Sequence, residues 1–263
     1  MRARCLSVRP YTVTAPAHRR ATLRWRRSAK LAAALAGALV PALASSAAPA
    51  FAQISGTVSI QSDDRLRGRS ISDGQPVATL TLSYDDPSGL YLNASGTAVA
   101  SDHSGVKPLS LEENVGYAVR FSSGPTFDVG ITNTNYTDQQ TDGDYGRYTE
   151  AYVGITGGPL SAHVYYSPHY FRHGIEALYA DLDATVEPVS KWRLTGHIGL
   201  LLYTTRAWNN YLSSSYYDWR IGVSHDIGPL ELQLSWVGRQ KDRNFPHDRY
   251  RRGGLVAAAS WSF

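Results

Sequence analysis

Sulfur is nearly missing from this chain: its 263 residues hold one cysteine and one methionine. The cysteine, Cys5, lies within the first 52 residues. Everything after it is therefore without a disulfide, a thiolate nucleophile or a cysteine metal site. Long apolar runs are missing too. After Ala52 no stretch reaches the roughly 18 apolar residues that a membrane-crossing helix needs. No sustained 3.6-residue period marks an amphipathic helix. Signatures of chemistry are also lacking: there is no Gly-x-Ser-x-Gly, no Walker loop, no His-Glu-x-x-His and no Cys-x-x-Cys. Nothing in the motifs calls for a cofactor or a metal.

Acid is absent from residues 1–52, which carry nine of the 26 Lys and Arg residues. A basic start, the short apolar run from Leu31 to Leu43, and Ala50-Phe51-Ala52 as a small-x-small cleavage site make a secretory signal peptide. Pro41 interrupts the run, which is too short to span a bilayer as a helix. Cleavage after Ala52 leaves residues 53–263, a length that suits one domain. That part holds 17 basic against 22 acidic residues, so the whole-chain charge of +4 becomes −5. The apparent pI of 9.1 belongs to the leader and gives no support to a nucleic-acid partner.

What the mature chain does contain is alternation. Strand-length segments with apolar residues at every second position run over 54–60, 78–84, 90–98, 112–121, 127–134, 150–155, 160–167, 178–186, 192–202, 218–224, 230–236 and 255–263. Twelve such segments predict an all-β fold, an antiparallel up-and-down transmembrane barrel. Short turns such as Asp85–Gly89, Ser122–Pro125 and Gly228-Pro229 alternate with long connectors such as 101–110, 137–147, 204–216 and 239–253. That asymmetry places both termini at the short-turn, periplasmic end. All nine prolines after Ala52 are expected in connectors or at strand edges, where a missing N–H does no harm. Tyr84, Tyr91, Phe121, Phe127, Trp192, Trp261 and Phe263 flank the short turns as an interfacial aromatic band. Parity alone also fits a water-soluble barrel or sandwich with its apolar face inward. The loop asymmetry, the aromatic band and the terminal Phe263 favour the outer membrane.

The polar parity carries charges of both signs, which lipid would not accept and an aqueous lumen would. Glu112, Arg120, Asp128, Glu150, His163, Asp183, Arg193, His197, Asp218, Arg220 and Glu231 are the expected pore-lining side chains. Two connectors are rich in basic residues: Arg65, Arg67 and Arg69 in the first, and Arg239, Lys241, Arg243, Arg249, Arg251 and Arg252 in the last. Solvated loops account for both. Contact with lipopolysaccharide phosphates or an anionic solute is the functional alternative. His163, with Ser161 and Glu150 nearby in the pattern, or His197, would be the centre of a lipid hydrolase if there were one. The favoured expectation is a passive, narrow channel for small hydrophilic solutes. Its rivals are a non-conducting barrel whose loops bind lipopolysaccharide or a partner, and that hydrolase.

Several blocks resemble the TorF-like family of porins, conserved proteobacterial proteins. They are Ser62-Asp63-Asp64-Arg65-Leu66-Arg67-Gly68-Arg69-Ser70-Ile71-Ser72-Asp73, Tyr84-Asp85-Asp86-Pro87-Ser88-Gly89, Tyr148-Thr149-Glu150-Ala151-Tyr152, Val164-Tyr165-Tyr166-Ser167-Pro168-His169-Tyr170 and Tyr217-Asp218-Trp219-Arg220. Asp64 and Leu66 stand where the family's pattern has aromatics. The terminal Ala259-Ser260-Trp261-Ser262-Phe263 is similar to the signal read by the barrel-insertion machinery. The resemblance implies an outer-membrane channel with no catalytic residues to carry over.

Overall fold

A computed structural model describes residues 53–101, 105–122, 124–137, 146–205, 215–240 and 253–263. The leader expected over residues 1–52 lies outside them, as do Lys241, Arg243, Arg249, Arg251 and Arg252. The described chain forms fourteen strands: β1 (Gln53–Gln61), β2 (Arg65–Leu66), β3 (Arg69–Ser70), β4 (Val77–Asp85), β5 (Leu90–Ser101), β6 (Gly105–Arg120), β7 (Thr126–Tyr136), β8 (Arg147–Gly157), β9 (Leu160–Ser167), β10 (Ala177–Val189), β11 (Trp192–Tyr203), β12 (Ser215–Ile227), β13 (Leu230–Arg239) and β14 (Gly254–Ser262). Twelve of them, all but β2 and β3, close into one antiparallel barrel in which β1 pairs with both β4 and β14. Each of the twelve alternating segments became one barrel strand. No helix among the described residues is long and apolar enough to cross a membrane.

The parity resolves in favour of apolar-out. Ile221 is 69 % exposed, Ile198 60 % and Val153 56 %, and Val129, Ile131, Leu234 and Trp236 share the same outward face. A soluble monomer rarely leaves a continuous apolar surface of more than a few hundred Å² in water. An apolar belt around a closed, edge-free sheet is what a hydrocarbon layer would cover. Phe121 and Phe127 pack edge to face at 5.6 Å at its short-turn end, and Phe263 lies over Gly56 across the β1–β14 closure. Tyr91 departs from the expected aromatic band. It sits on the polar parity, and its hydroxyl bonds Asp128 and Tyr152 inside the barrel.

Two prolines were not in connectors. Pro108 lies within β6 and Pro188 within β10. Each sits at a register shift, where a missing N–H breaks no regular ladder. At the first, Ser110 faces Thr97 and Pro108 faces Ala98, so Leu109 is the extra residue of a bulge. The bulge re-aims Leu109 into a buried cluster with Ile71, Val77 and Val99. The strand thus begins at Gly105, inside what the sequence read as a long loop.

The packed core lies inside the barrel, toward the long-connector end. Tyr148, Tyr170, Tyr179, Leu201 and Tyr216 form one buried cluster, and Leu66 packs against both this cluster and the Leu109 cluster. Leu66 and Ile71 come from the connector between β1 and β4. That connector therefore does not project into solvent. It folds inward and fills part of the lumen.

Candidate functional site

The segment 62–76 is built around a two-residue hairpin. Arg65 pairs with Ser70 and Leu66 with Arg69, leaving Arg67 and Gly68 at the tip. Both tip residues have positive φ, 48° and 76°, as a tight hairpin turn of this hand requires. Glycine meets that demand without strain, whereas arginine in this region costs about 1–2 kcal/mol. Gly68 is also the contact with the wall: a side chain there would run into the Gly238 carbonyl. Below the turn, Asp63 holds the loop together. One of its oxygens accepts from the Ser70 and Ser72 hydroxyls, and the other accepts from Arg65 Nε at 2.7 Å. The single Ser72 hydroxyl hydrogen is shared between Asp63 at 3.1 Å and the Gln75 carbonyl at 2.7 Å, while the Ser72 oxygen accepts from the Asp64 N–H. Burial, with the Asp63 carboxylate beside it, pushes the Asp64 carboxyl up to about 6.

Arg67 spans from this loop to the far wall. Its Nη2 donates to both oxygens of Glu150 on β8, at 2.8 and 2.6 Å. The guanidinium lies 4.0 Å from the Tyr179 ring centre and 5.0 Å from that of Tyr170. Its side chain is 9 % exposed. Nη1 is buried without a hydrogen-bond partner among the described residues, packed where the tyrosine faces supply the compensating charge. The first basic cluster is thus corrected in place. Arg67 points into the lumen, Arg65 is tied to Asp63, and Arg69 closes the hairpin. Arg239, expected in the last basic loop, ends β13 and lies over the Tyr216 ring at 4.2 Å.

Arg67 and Tyr179 stand between two cavities that share them. The larger, about 520 Å³, is lined by Glu112, Asp128, Glu150, His163, Asp181 and the rings of Tyr91, Tyr152 and Tyr165. The smaller, about 200 Å³, is lined by Asp63, Arg65, His197, Asp218 and Arg220. A continuous polar network lines the wall. Tyr91 shares a 2.6 Å hydrogen bond with Tyr152, which also accepts from Asn114. His163 lies 3.4 Å from Asp181 and 3.9 Å from Asp128. His197 is held between Asp183 at 2.9 Å and Asp218 at 3.2 Å, and Arg220 reaches Asp183 at 3.3 Å.

Eight of the expected pore-lining residues therefore gather around the hairpin: Glu112, Asp128, Glu150, His163, Asp183, His197, Asp218 and Arg220. Three do not. Arg193 pairs with Asp226 and Glu231 near the short-turn rim, and Arg120 ends β6 at that rim. Among the described residues the expected hydrolase arrangement is not assembled: Glu150 is taken by Arg67, and His163 and His197 each lie between two carboxylates. Among the described residues, no group of three metal-ligating side chains is arranged to hold an ion. Sequence reasoning missed the tyrosines. Tyr91, Tyr152, Tyr165 and Tyr179 lie on the polar parity of their strands, and that position was the available signal.

In a comparison with solved structures, the NanC porin aligns at a TM-score of 0.50 with 11 % identity, over 80 % of this chain and 99 % of that one. The KdgM porin aligns at 0.49 with 13 % identity, over 80 % and 99 %. LpxR from Salmonella typhimurium aligns at 0.45 with 8 % identity, over 80 % and 99 %. At that identity the likeness to NanC shows the barrel fold and nothing finer. No curated protein sequence matches the chain. Residues 44–262 match a family model described as "bacterial protein of unknown function", Gcw_chp. That match takes in the whole barrel up to Ser262, and the chain belongs to this family.

Proposed function

We propose that the chain is exported, loses its leader at Ala52, and works in the bacterial outer membrane as a porin-like channel for small hydrophilic solutes. The observation that carries this reading is the contrast between the two faces of one closed sheet. Its outside is an apolar belt, and its inside is a wall of charged and hydroxyl groups around cavities of about 520 and 200 Å³. A lumen of that kind conducts by diffusion past a polar wall, with no cofactor or energy input. The TorF-like resemblance agrees with it.

In this reading the 62–76 connector is the constriction. Arg67 bridges it to β8, and the eight gathered charges set the field through which a solute passes. Carboxylates outnumber cations there, which favours cations and neutral solutes over anions. The bridging hairpin also supports a second reading, a barrel closed by its own loop. Liposome swelling by residues 53–263, refolded from detergent, separates the two. Swelling in small sugars that falls off with solute size supports the channel. Absence of swelling, in the wild type and in a variant with residues 64–72 replaced by a short Gly-Ser linker, defeats it.

A further inference from the structure

Another cavity, about 560 Å³, opens on the outside of the barrel at the long-connector end. Its wall is Asn133, Asn135, Arg147 and Thr149 from β7 and β8, and its rim is His169, Arg172 and His173 from the connector after β9. Register sets the wall: Asn133 lies opposite Thr149, and Asn135 opposite Arg147. All four are on the outward parity. Two residues before Asn133 on the same face is Ile131, and four residues beyond Thr149 is Val153, both members of the apolar belt. The cavity therefore sits where the belt ends.

Its chemistry is one-sided. Among the described residues, two guanidinium groups and two imidazoles line it and no carboxylate does. The nearest carboxylate in its hydrogen-bond network, Glu113, is engaged by Asn133 at 3.3 Å. Arg147 is exposed and forms no ion pair among the described residues. The histidine rings are stacked at 4.5 Å. His169 Nδ1 accepts the Gly174 N–H at 3.1 Å, which leaves Nε2 to carry the hydrogen and act as a donor. Phe171 and Gly174, both at positive φ, turn the connector sharply so that 169, 172 and 173 come to one side.

We propose that this cavity binds the phosphate headgroup of a membrane lipid, with the acyl chains laid along the belt below it. A planar guanidinium fork and imidazole donors suit a phosphomonoester. A free phosphate would need no apolar surface beneath the site. A lipid does, and Ile131, Val153, Val164 and Tyr166 provide it. The inference rests on the membrane reading above and uses none of the lumen residues.

The test is native mass spectrometry of the refolded barrel in detergent, offered bis-phosphorylated lipid A or the same lipid with its phosphates removed. Insertion into vesicles is checked separately, since a barrel that fails to insert defeats the membrane reading rather than this one. The expected result is retention of the phosphorylated lipid about tenfold or more above the dephosphorylated one. R147A/R172A and H169A/H173A should each lower that preference while leaving solute passage unchanged. Equal retention of the two lipids, or unaltered preference in both variants, overturns the proposal. Displacement of the lipid by inorganic phosphate alone at equal concentration overturns the lipid assignment.

Discussion

Removing Glu150 is the sharpest perturbation of the constriction. In the inward state the Arg67 guanidinium is almost fully buried, and Glu150 supplies its paired charge through two short hydrogen bonds. Deleting one partner of a buried pair typically costs about 3–5 kcal/mol, because the other is left uncompensated. Here the tyrosine faces compensate in part, by about 1–2 kcal/mol. About 2–3 kcal/mol then acts against the inward hairpin, whose tip also carries the cost of a left-handed arginine. At tenfold per 1.4 kcal/mol, the released state should rise by roughly 30- to 140-fold. Arg65, Arg67 and Arg69 are trypsin sites, so the hairpin reports its own release. We expect E150A to be nicked within residues 65–69 at least tenfold faster than the wild type, with the barrel intact on a heat-modifiability gel. R67A/E150A, which has no stranded charge, should show less of this release than E150A, with cleavage counted at Arg65 and Arg69 alone. A nicking rate for E150A within threefold of the wild type would refute the reasoning.

Other perturbations have expected outcomes as well. Asp64 has a folded-state carboxyl raised to about 6, so the inward loop binds its proton more tightly than the released loop does. The inward state is then favoured at low pH and weakens as pH rises from about 4 through 6. Trypsin release should not be read there, since the protease itself titrates; cysteine labelling of a Ser70→Cys variant after brief pH jumps, corrected for thiol ionisation, should increase across that range, and D64N should flatten it. Gly68→Ala places a side chain against the Gly238 carbonyl in a left-handed conformation and should release the hairpin as E150A does. Ile221→Arg, on the outward belt, should lower folding into bilayers by about 2–4 kcal/mol and should be innocuous if the barrel lives in water. Arg193→Ala removes a pair that is 30 % exposed on each side with Asp226, and its effect on stability should stay within about 1 kcal/mol.

The strands were legible because a period of two is a strong signal when one face is apolar and the other is not. All twelve barrel strands fall on predicted segments, and the outward placement of Val129, Ile131 and Ile221 follows from parity. The site was half legible. Glu150, His163, His197 and Asp218 were placed inside by the same parity, but their partners were not, because a strand pattern says which face a residue takes and not what crosses the lumen to meet it. The Arg65–Arg69 run looked like a solvated loop, since charge density ordinarily means water. What turns it inward is carried by two apolar residues, Leu66 and Ile71, and by the Asp63–Ser70–Ser72 hydrogen bonds that fold the loop on itself. Pro108 read as a breaker for a different reason: a bulge accommodates it, and bulges leave no periodic trace.

Planar-bilayer conductance of refolded residues 53–263, beside the variant with residues 64–72 replaced by a short linker, tests the central claim most directly. The wild type should show a small, weakly cation-selective conductance, and the variant a larger one once the hairpin is gone. No conductance from either protein, at any voltage, would contradict it.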